Sequence, residues 1–405
     1  MISTGTATGV DAPGVVSVVD GPRATPARRR AGALLVDLLA ARPGPDGTSR
    51  TTGRCPVVPR DVEPEEFRRL LQAHRVGPTV HGRLLGRDGS GDAPEDADAW
   101  AALRAAAATT LLPHTARRLA VTADLRLLAR TLQHEDCRWA VVKGPVTALR
   151  YPDPAHREFH DLDVLVDGRD LGPALRSLEA AGARILEDDF SAVLSRGQGE
   201  IALLLPQGTF LDLHWHLVNR PERRDAFALD VTGIIARRRE AEVLGTRCPV
   251  LDPVDELHHL ALHMTLAGGW RLLWSHDLTV VLAQTPRHDL DVLRRRARSA
   301  GTALAVAVAL TRARDVLGAP VEETLLRDLA AAGPLWWAGS RLLTRTRPPQ
   351  ELLGPEGSGR FVIASTRRST AASLAALLTA RRAPRRGDGS TGRQGYLDLA
   401  AASSA

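Results

Sequence analysis

Lysine is almost absent from this chain of 405 residues: Lys143 stands alone among 53 basic residues, the others being arginine. Arginine and lysine differ in geometry and hydration, so a position that keeps the compact, flexible ammonium is a candidate for chemistry that needs one. Cysteine is scarce too. Cys55, Cys137 and Cys248 are odd in number, far apart and without a CxxC pair. That pattern speaks against a disulfide framework or a thiolate zinc site and fits a reducing compartment. Aromatic residues make up only 4% of the chain, so its cores must rest on Leu, Val and Ala. No uncharged apolar run approaches the roughly 18 residues needed for a membrane span, and the first residues lack the basic and apolar regions of a secretory signal. A cytoplasmic protein with no transmembrane segment is expected.

The charge is unevenly placed. The chain carries a formal +6, yet residues 341–405 hold eleven Arg against four acidic residues, which leaves the rest near neutral. A basic groove for templated nucleic acid is therefore not indicated. The arginine pairs Arg367-Arg368, Arg381-Arg382 and Arg385-Arg386 flank an Ala/Leu-rich stretch that could meet an anionic or protein partner, or simply remain a solvated tail.

Hydrophobic spacing divides the chain. Residues 1–30 show no lasting period, and Ala33–Ala40 reads as a short helix before the Arg42–Arg54 loop. A helix begins near Asp61-Val62-Glu63-Pro64 and runs toward His74. After the Gly86–Asp98 break, a long packed helix is expected from Trp100 to His134, interrupted at Pro113, with Leu119, Leu125, Leu127, Leu128 and Leu132 inward. Short strands are expected at Arg138–Val142, Asp161–Val166, Arg184–Leu186, Phe190–Leu194, Ile201–Leu205 and Phe210–His216, with a helix over Asp170–Ala181. Pro145 suits the first position of a helix, where its missing N–H costs little. Beyond Pro221 the reading is mainly helical: Pro253–Gln284 with a turn at Gly268-Gly269, then Arg294–Leu317 and Val321–Ala332. The fold class is α+β, a small mixed-sheet core flanked by N- and C-terminal helical regions.

Chemistry concentrates on two strands. Side chains alternate faces along a strand, so Asp161 and Asp163 point one way while Leu162 and Val164 point the other. In Phe210-Leu211-Asp212-Leu213-His214-Trp215 the same alternation separates Asp212 and His214 from Leu211, Leu213 and Trp215. If the strands are neighbours, three carboxylates could converge on one or two Mg²⁺ ions, hard cations that favour oxygen ligands and substrate phosphates.

These residues resemble a family. Lys143-Gly144, Tyr151-Pro152, Arg157, Asp161-Leu162-Asp163-Val164-Leu165-Val166 and Asp212-Leu213-His214-Trp215 are similar to the nucleotidyltransferase superfamily with the polymerase-β-like fold, and more closely to its bacterial branch of largely uncharacterised members. In that superfamily a Gly-Ser turn precedes the Asp-x-Asp pair; here Lys143-Gly144 stands in its place, at a longer interval. The resemblance implies Asp161, Asp163 and Asp212 as metal ligands, with Asp212 also activating or orienting the acceptor hydroxyl. It implies Lys143, Gly144 and Arg157 as contacts to the phosphates of a nucleoside triphosphate. His214 would contact substrate or orient Asp212. The expected activity is Mg²⁺-dependent transfer of a nucleoside monophosphate from an NTP to an unidentified small-molecule, peptide or protein acceptor, releasing pyrophosphate. The divisions that follow are 1–55 as a mostly disordered leader, 56–137 helical, 138–220 the nucleotidyltransferase core, 221–345 helical, and 346–405 a basic, partly flexible tail.

Two other readings remain open on the sequence. One is a non-catalytic binding or regulatory protein, antitoxin-like, that keeps the fold. The other is a metal phosphohydrolase built on His259, His263, His276 and Asp277, since His259 and His263 lie one helical turn apart. Alternatively His263, Arg271 and Asp277 belong to helices lining the nucleotidyltransferase cleft.

Overall fold

The computed structural model describes residues 23–40, 59–86, 96–187, 189–224, 226–330, 338, 348–356 and 389–404. The expectations for residues 1–22, for 42–54, for 87–95 and for the three C-terminal arginine pairs lie outside the described residues. Five helices come first: α1 (Pro26–Leu39), α2 (Pro64–His74), α3 (Gly77–Leu85), α4 (Ala97–Ala108) and α5 (Leu111–His134). The mixed region follows with β1 (Trp139–Val142), α6 (Gly144–Ala148), β2 (Asp161–Val166), α7 (Leu171–Ala180), β3 (Arg184–Ile185), α8 (Phe190–Arg196), β4 (Glu200–Leu204) and β5 (Phe210–His214). It continues through α9 (Pro221–Arg224), α10 (Val231–Ala236), β6 (Arg239–Val243) and β7 (Thr246–Val250). Then come α11 (Pro253–Leu266), α12 (Leu272–Leu282), α13 (Arg287–Ser299), α14 (Ala303–Leu317), α15 (Glu323–Ala330) and, last, α16 (Gly389–Ala402).

Local chemistry accounts for these boundaries, including those the spacing misjudged. The break expected at Pro113 falls instead at Thr109-Thr110. Pro113 is the third residue of α5, where the N–H has no intrahelical acceptor to lose. Val121, Leu125, Leu128 and Leu132 share the inward face, whereas Leu119 lies on the opposite side and is exposed. Phe190–Leu194 is a helix, not a strand: the Asp189 carboxylate caps the Ala192 N–H and Gly197 closes the end in the left-handed conformation. The hairpin β6–β7 was not expected at all. Its turn, Leu244-Gly245, has positive φ at both residues, the conformation of a two-residue hairpin, but Leu carries no turn signal. Arg294–Leu317 divides into α13 and α14 at Gly301, whose φ is +71°.

Seven strands form one mixed sheet in the order β3-β4-β5-β2-β1-β7-β6. β2 runs parallel to β5 and antiparallel to β1; β4 is antiparallel to β5, and β7 is parallel to β1. Alternation gives the sheet two unlike faces. Val141, Leu162, Val164, Leu211, Leu213 and Leu203 turn to one side and pack beneath α5, α7, α8 and α16. On the other side Ala140, Val142 and Leu165 meet α10, and beyond them the strand ends turn polar. α11–α15 form a second core, and α1–α4 form a third that receives Leu272 and Leu273 from α12. The start of α12 thus touches the N-terminal helices, while the α11–α12 pair faces the polar strand ends.

Candidate active site

Register brings the carboxylates together. Asp163 pairs with Asp212 across the parallel strands β2 and β5, and Glu200 pairs with His214 across β4 and β5. Immediately after β1 the backbone of Lys143 adopts φ +50°, and Gly144 follows at +36°. A lysine rarely occupies that region, and the strain is held at the point where the side chain meets the carboxylates. Lys143 Nζ donates to Asp163 Oδ1 at 2.6 Å. His214 Nε2 reaches the same oxygen at 2.9 Å, and its Nδ1 stands 3.0 Å from Glu200 Oε2. Asn219 holds the second oxygen of Glu200. The carboxylates of Asp212 and Asp161 make no hydrogen bond or ion pair among the described residues. All these side chains line a cavity of about 350 Å³.

The electrostatics follow from burial and crowding. Burial opposes ionisation of Asp163, but the Lys143 ammonium and the His214 imidazole outweigh it and hold the carboxyl well below the usual range. Asp212 goes the other way: burial, then the charges of Asp163 and Glu200, push it up to about 7. Burial disfavours a charged His214, yet its bonds to Asp163 and Glu200 raise it to about 9. An imidazolium donates from both nitrogens and has no lone pair for a metal, so His214 in this state orients Asp163 and Glu200.

Among the described residues, Asp163, Asp212 and His214 offer ligand atoms within 4.8 Å of one another. The donor set fits a divalent cation through its two carboxylates. They are neighbours, Asp212 has no competing partner, and the surplus negative charge that raises Asp212 is what a cation would relieve. Asp161 lies on the same strand face and lines the cavity, but stands outside the group of three.

The opposite wall comes from α11 and α12. His259, His263, Arg271, Trp274 and Asp277 all line the cavity. Arg157 does not reach out as an unengaged phosphate contact. Its guanidinium forms a fork with Asp277, at 3.2 and 2.8 Å, and both side chains are buried. Tyr151 donates to the same carboxylate at 2.7 Å, and His276 Nδ1 meets the Tyr151 hydroxyl at 3.0 Å. Glu256 on α11 is likewise held by Arg150. The segment between α6 and β2 is thus tied to the helical wall by buried charge, so Asp277 and His276 brace the cavity. Glu200, Asn219 and Arg220 also line it, and sequence reasoning named none of them. Glu200 begins a strand whose alternation was legible, but its pairing with His214 depended on strand order.

Residues 60–318 match a family described as uncharacterised nucleotidyltransferase, and the chain belongs to it. A solved structure, that of an antigenic nucleotidyltransferase-like protein from Paracoccidioides brasiliensis, is similar over 51% of this chain and 95% of that one, at 15% identity and a TM-score of 0.31. No curated protein matches.

Proposed function

We propose that the cavity transfers a nucleoside monophosphate from an NTP to an acceptor and releases pyrophosphate. The observation that carries this reading is the register pair Asp163–Asp212, which sets a buried and a half-buried carboxylate side by side, with Lys143 on an oxygen of Asp163. Asp163 and Asp212 would hold Mg²⁺, and Asp161 would be available to a second ion. When bound, such ions neutralise phosphate charge at the attacking and leaving oxygens. Lys143 is placed to trade its contact with Asp163 for the triphosphate, supplying a point charge as pyrophosphate departs. His214, fixed by Glu200, keeps Asp163 ionised and correctly turned. Arg157 and Asp277 hold the loop between α6 and β2 in place.

The phosphohydrolase reading loses its support. His276 is spent on Tyr151 and Asp277 on Arg157, and among the described residues the metal-competent group contains neither of them nor His259 and His263. The test is release of pyrophosphate from α-labelled NTPs with Mg²⁺, alongside binding of an α,β-methylene NTP with Mn²⁺. Asp163→Asn and Asp212→Asn should each lower turnover by about 10²-fold or more with unchanged circular dichroism. Analogue binding without turnover in the wild type, whatever acceptor extract is added, would mark a non-catalytic member instead.

A further inference from the structure

The carboxylates and Lys143 account for the metal and the phosphates, but a second set of cations lines the same cavity: Arg220, Arg223 and Arg271. They come from segments that meet at the C-terminal end of α11. Val218, Phe227 and Leu229 cluster with Leu262 and Leu266, which seats the stretch holding Arg220 and Arg223 on the last turns of that helix. Gly268 and Gly269, at φ +92° and +60°, form the turn into α12, and Arg271 is the residue that opens it. Two of the three arginines have evident structural work. Arg223 is buried and donates to the Leu266 carbonyl at 3.4 Å, at the negative end of α11. Arg271 is buried too. It donates to the Ala73 carbonyl at 3.3 Å and lies over Trp270 and Trp274, at 4.7 and 5.1 Å from the ring centroids. Arg220 has no such duty. It is half-buried, and its guanidinium makes no hydrogen bond or ion pair among the described residues. Ordering a long side chain costs entropy, and a planar fork of donors at a cavity wall is matched by a carboxylate or a phosphate.

We propose that Arg220, together with Arg223 and Arg271, forms an anion subsite for the acceptor, which carries a phosphate or carboxylate besides the atom that is nucleotidylated. The inference rests on the nucleotidyltransferase reading and adds the charge class of the acceptor. The anion serves as an anchor: the acceptor's own nucleophile bonds to the α-phosphorus, its proton is released, and pyrophosphate leaves. The subsite is set apart from the triphosphate by its place along α11. Lys143 stands on the turn after β1, on an oxygen of Asp163, where metal-bridged phosphates belong. Burial and then the charge of Lys143 hold the His259 and His263 imidazoles well below their ordinary range, and Arg271 adds to this at His263. Arg223 meets the helix at Leu266, seven residues and about 10 Å along the axis from His259. The lysine and the arginines thus address successive stretches of one helix, and the imidazoles in the cavity, being neutral, do not compete for an anion. Guanidinium groups suit phosphate and carboxylate alike, because either offers two oxygens to the fork.

The test is calorimetric titration of the full chain, saturated with Mn²⁺ and an α,β-methylene NTP, with glycerol 3-phosphate, glycerate and glycerol. At least one of the two anions should bind about tenfold or more tightly than glycerol, and which one does so separates phosphate from carboxylate. Arg220→Met should weaken that binding about tenfold, Arg220→Glu should abolish it, and Arg220→Lys should recover part of it. No structural contact of the Arg220 side chain is lost in these variants, and circular dichroism checks the fold. Affinity for the nucleotide analogue should stay within about twofold throughout. In host extract with Mg²⁺ and an α-labelled NTP, the anion that binds should inhibit label transfer in competition with the extract and not with the NTP. Equal binding of glycerol and both anions overturns the proposal, as does anion binding indifferent to Arg220. So does analogue affinity that falls about tenfold in Arg220→Met, or inhibition competitive with NTP, since either assigns the arginines to the triphosphate. Failure of the underlying reading looks different: the analogue would not bind, or Asp212→Asn would leave its binding and the transfer intact, while the nucleotide-free chain still bound the anions through Arg220.

Discussion

Lys143 is a residue whose backbone and side chain are both constrained. Its φ of +50° is uncommon for any residue with a Cβ, and its ammonium is 2.6 Å from Asp163 with only 11% of the side chain exposed. Arginine would preserve the charge but bring a longer, planar head into a place fitted to a point cation. Lys143→Arg should therefore cost about 10²-fold in nucleotidyl transfer with little change in melting temperature. Equal turnover in the two proteins would show that the lone lysine has no part in the chemistry. Much at this scale was legible beforehand. Strand alternation alone put Asp161, Asp163, Asp212 and His214 on polar faces, because a period of two leaves no other choice once Leu162, Val164, Leu211 and Leu213 are buried. The partner of Arg157 was not legible: Asp277 lies 120 positions away, on a helix whose docking only the fold determines.

At the scale of elements the last helix is the least expected. Gly389–Ala402 contains three glycines and little apolar surface beyond Tyr396, Leu397 and Leu399, so no amphipathic period announces it. Its stability comes from where it docks. Tyr396 is fully buried, accepts from Trp215 Nε1 at 2.9 Å and donates to the Glu200 carbonyl at 3.0 Å. The contact is close enough that a Cβ on Gly168 would stand 2.0 Å from the Ala400 carbonyl, and one on Gly392 would stand 2.4 Å from the Ser191 nitrogen. Gly168→Ala should consequently lift α16, seen as faster hydrogen exchange over 389–404. Tyr396→Phe, which orphans a buried indole N–H and a part-buried carbonyl, should cost about 1–3 kcal/mol in urea unfolding. Unchanged exchange and stability in both would mean that the helix does not rest on these contacts. α8 escaped because a short apolar run is equally compatible with strand or helix, and the Asp189 cap decides for the helix. The β6–β7 hairpin escaped because Arg239–Val243 and Thr246–Val250 hold few apolar residues and Leu244 carries no turn signal.

For the molecule as a whole, the cores are laced with uncharged imidazoles, which makes stability depend on pH. Burial lowers His74 and His276 to about 3, and His216 and His258 to about 4, from an ordinary 6.5. Below 6.5 the unfolded chain takes up these protons and the folded one does not. Their stabilisation is therefore complete above that pH and drains away as pH falls toward 4, at about 1.4 kcal/mol per pH unit for each ring. Asp212 opposes this, since its raised carboxyl gains a proton in the folded state below about 7, but it offsets a single ring. His214 is protonated in both states below 6.5, and its own contribution is lost only as pH rises through about 9. The melting temperature of the metal-free protein should be highest near neutrality and fall steeply between pH 6.5 and 4.5. A flat profile over that interval would contradict the neutral imidazoles. The helical character of the flanking regions was visible in the spacing of apolar residues; their docking, through Leu272 and Leu273 for example, was not.

The bond between Tyr396 and Glu200 joins residues 196 apart in sequence, and this imposes an order on biosynthesis. β2 and β5, and with them Asp163 and Asp212, emerge from the ribosome well before the tyrosine that seals the β4 end of the sheet has been added. At about 5–20 residues per second the nascent sheet waits roughly 10–40 s for it. During that interval Trp215 and the Glu200 carbonyl are open to water or to a chaperone, so the site is assembled before its own edge is closed.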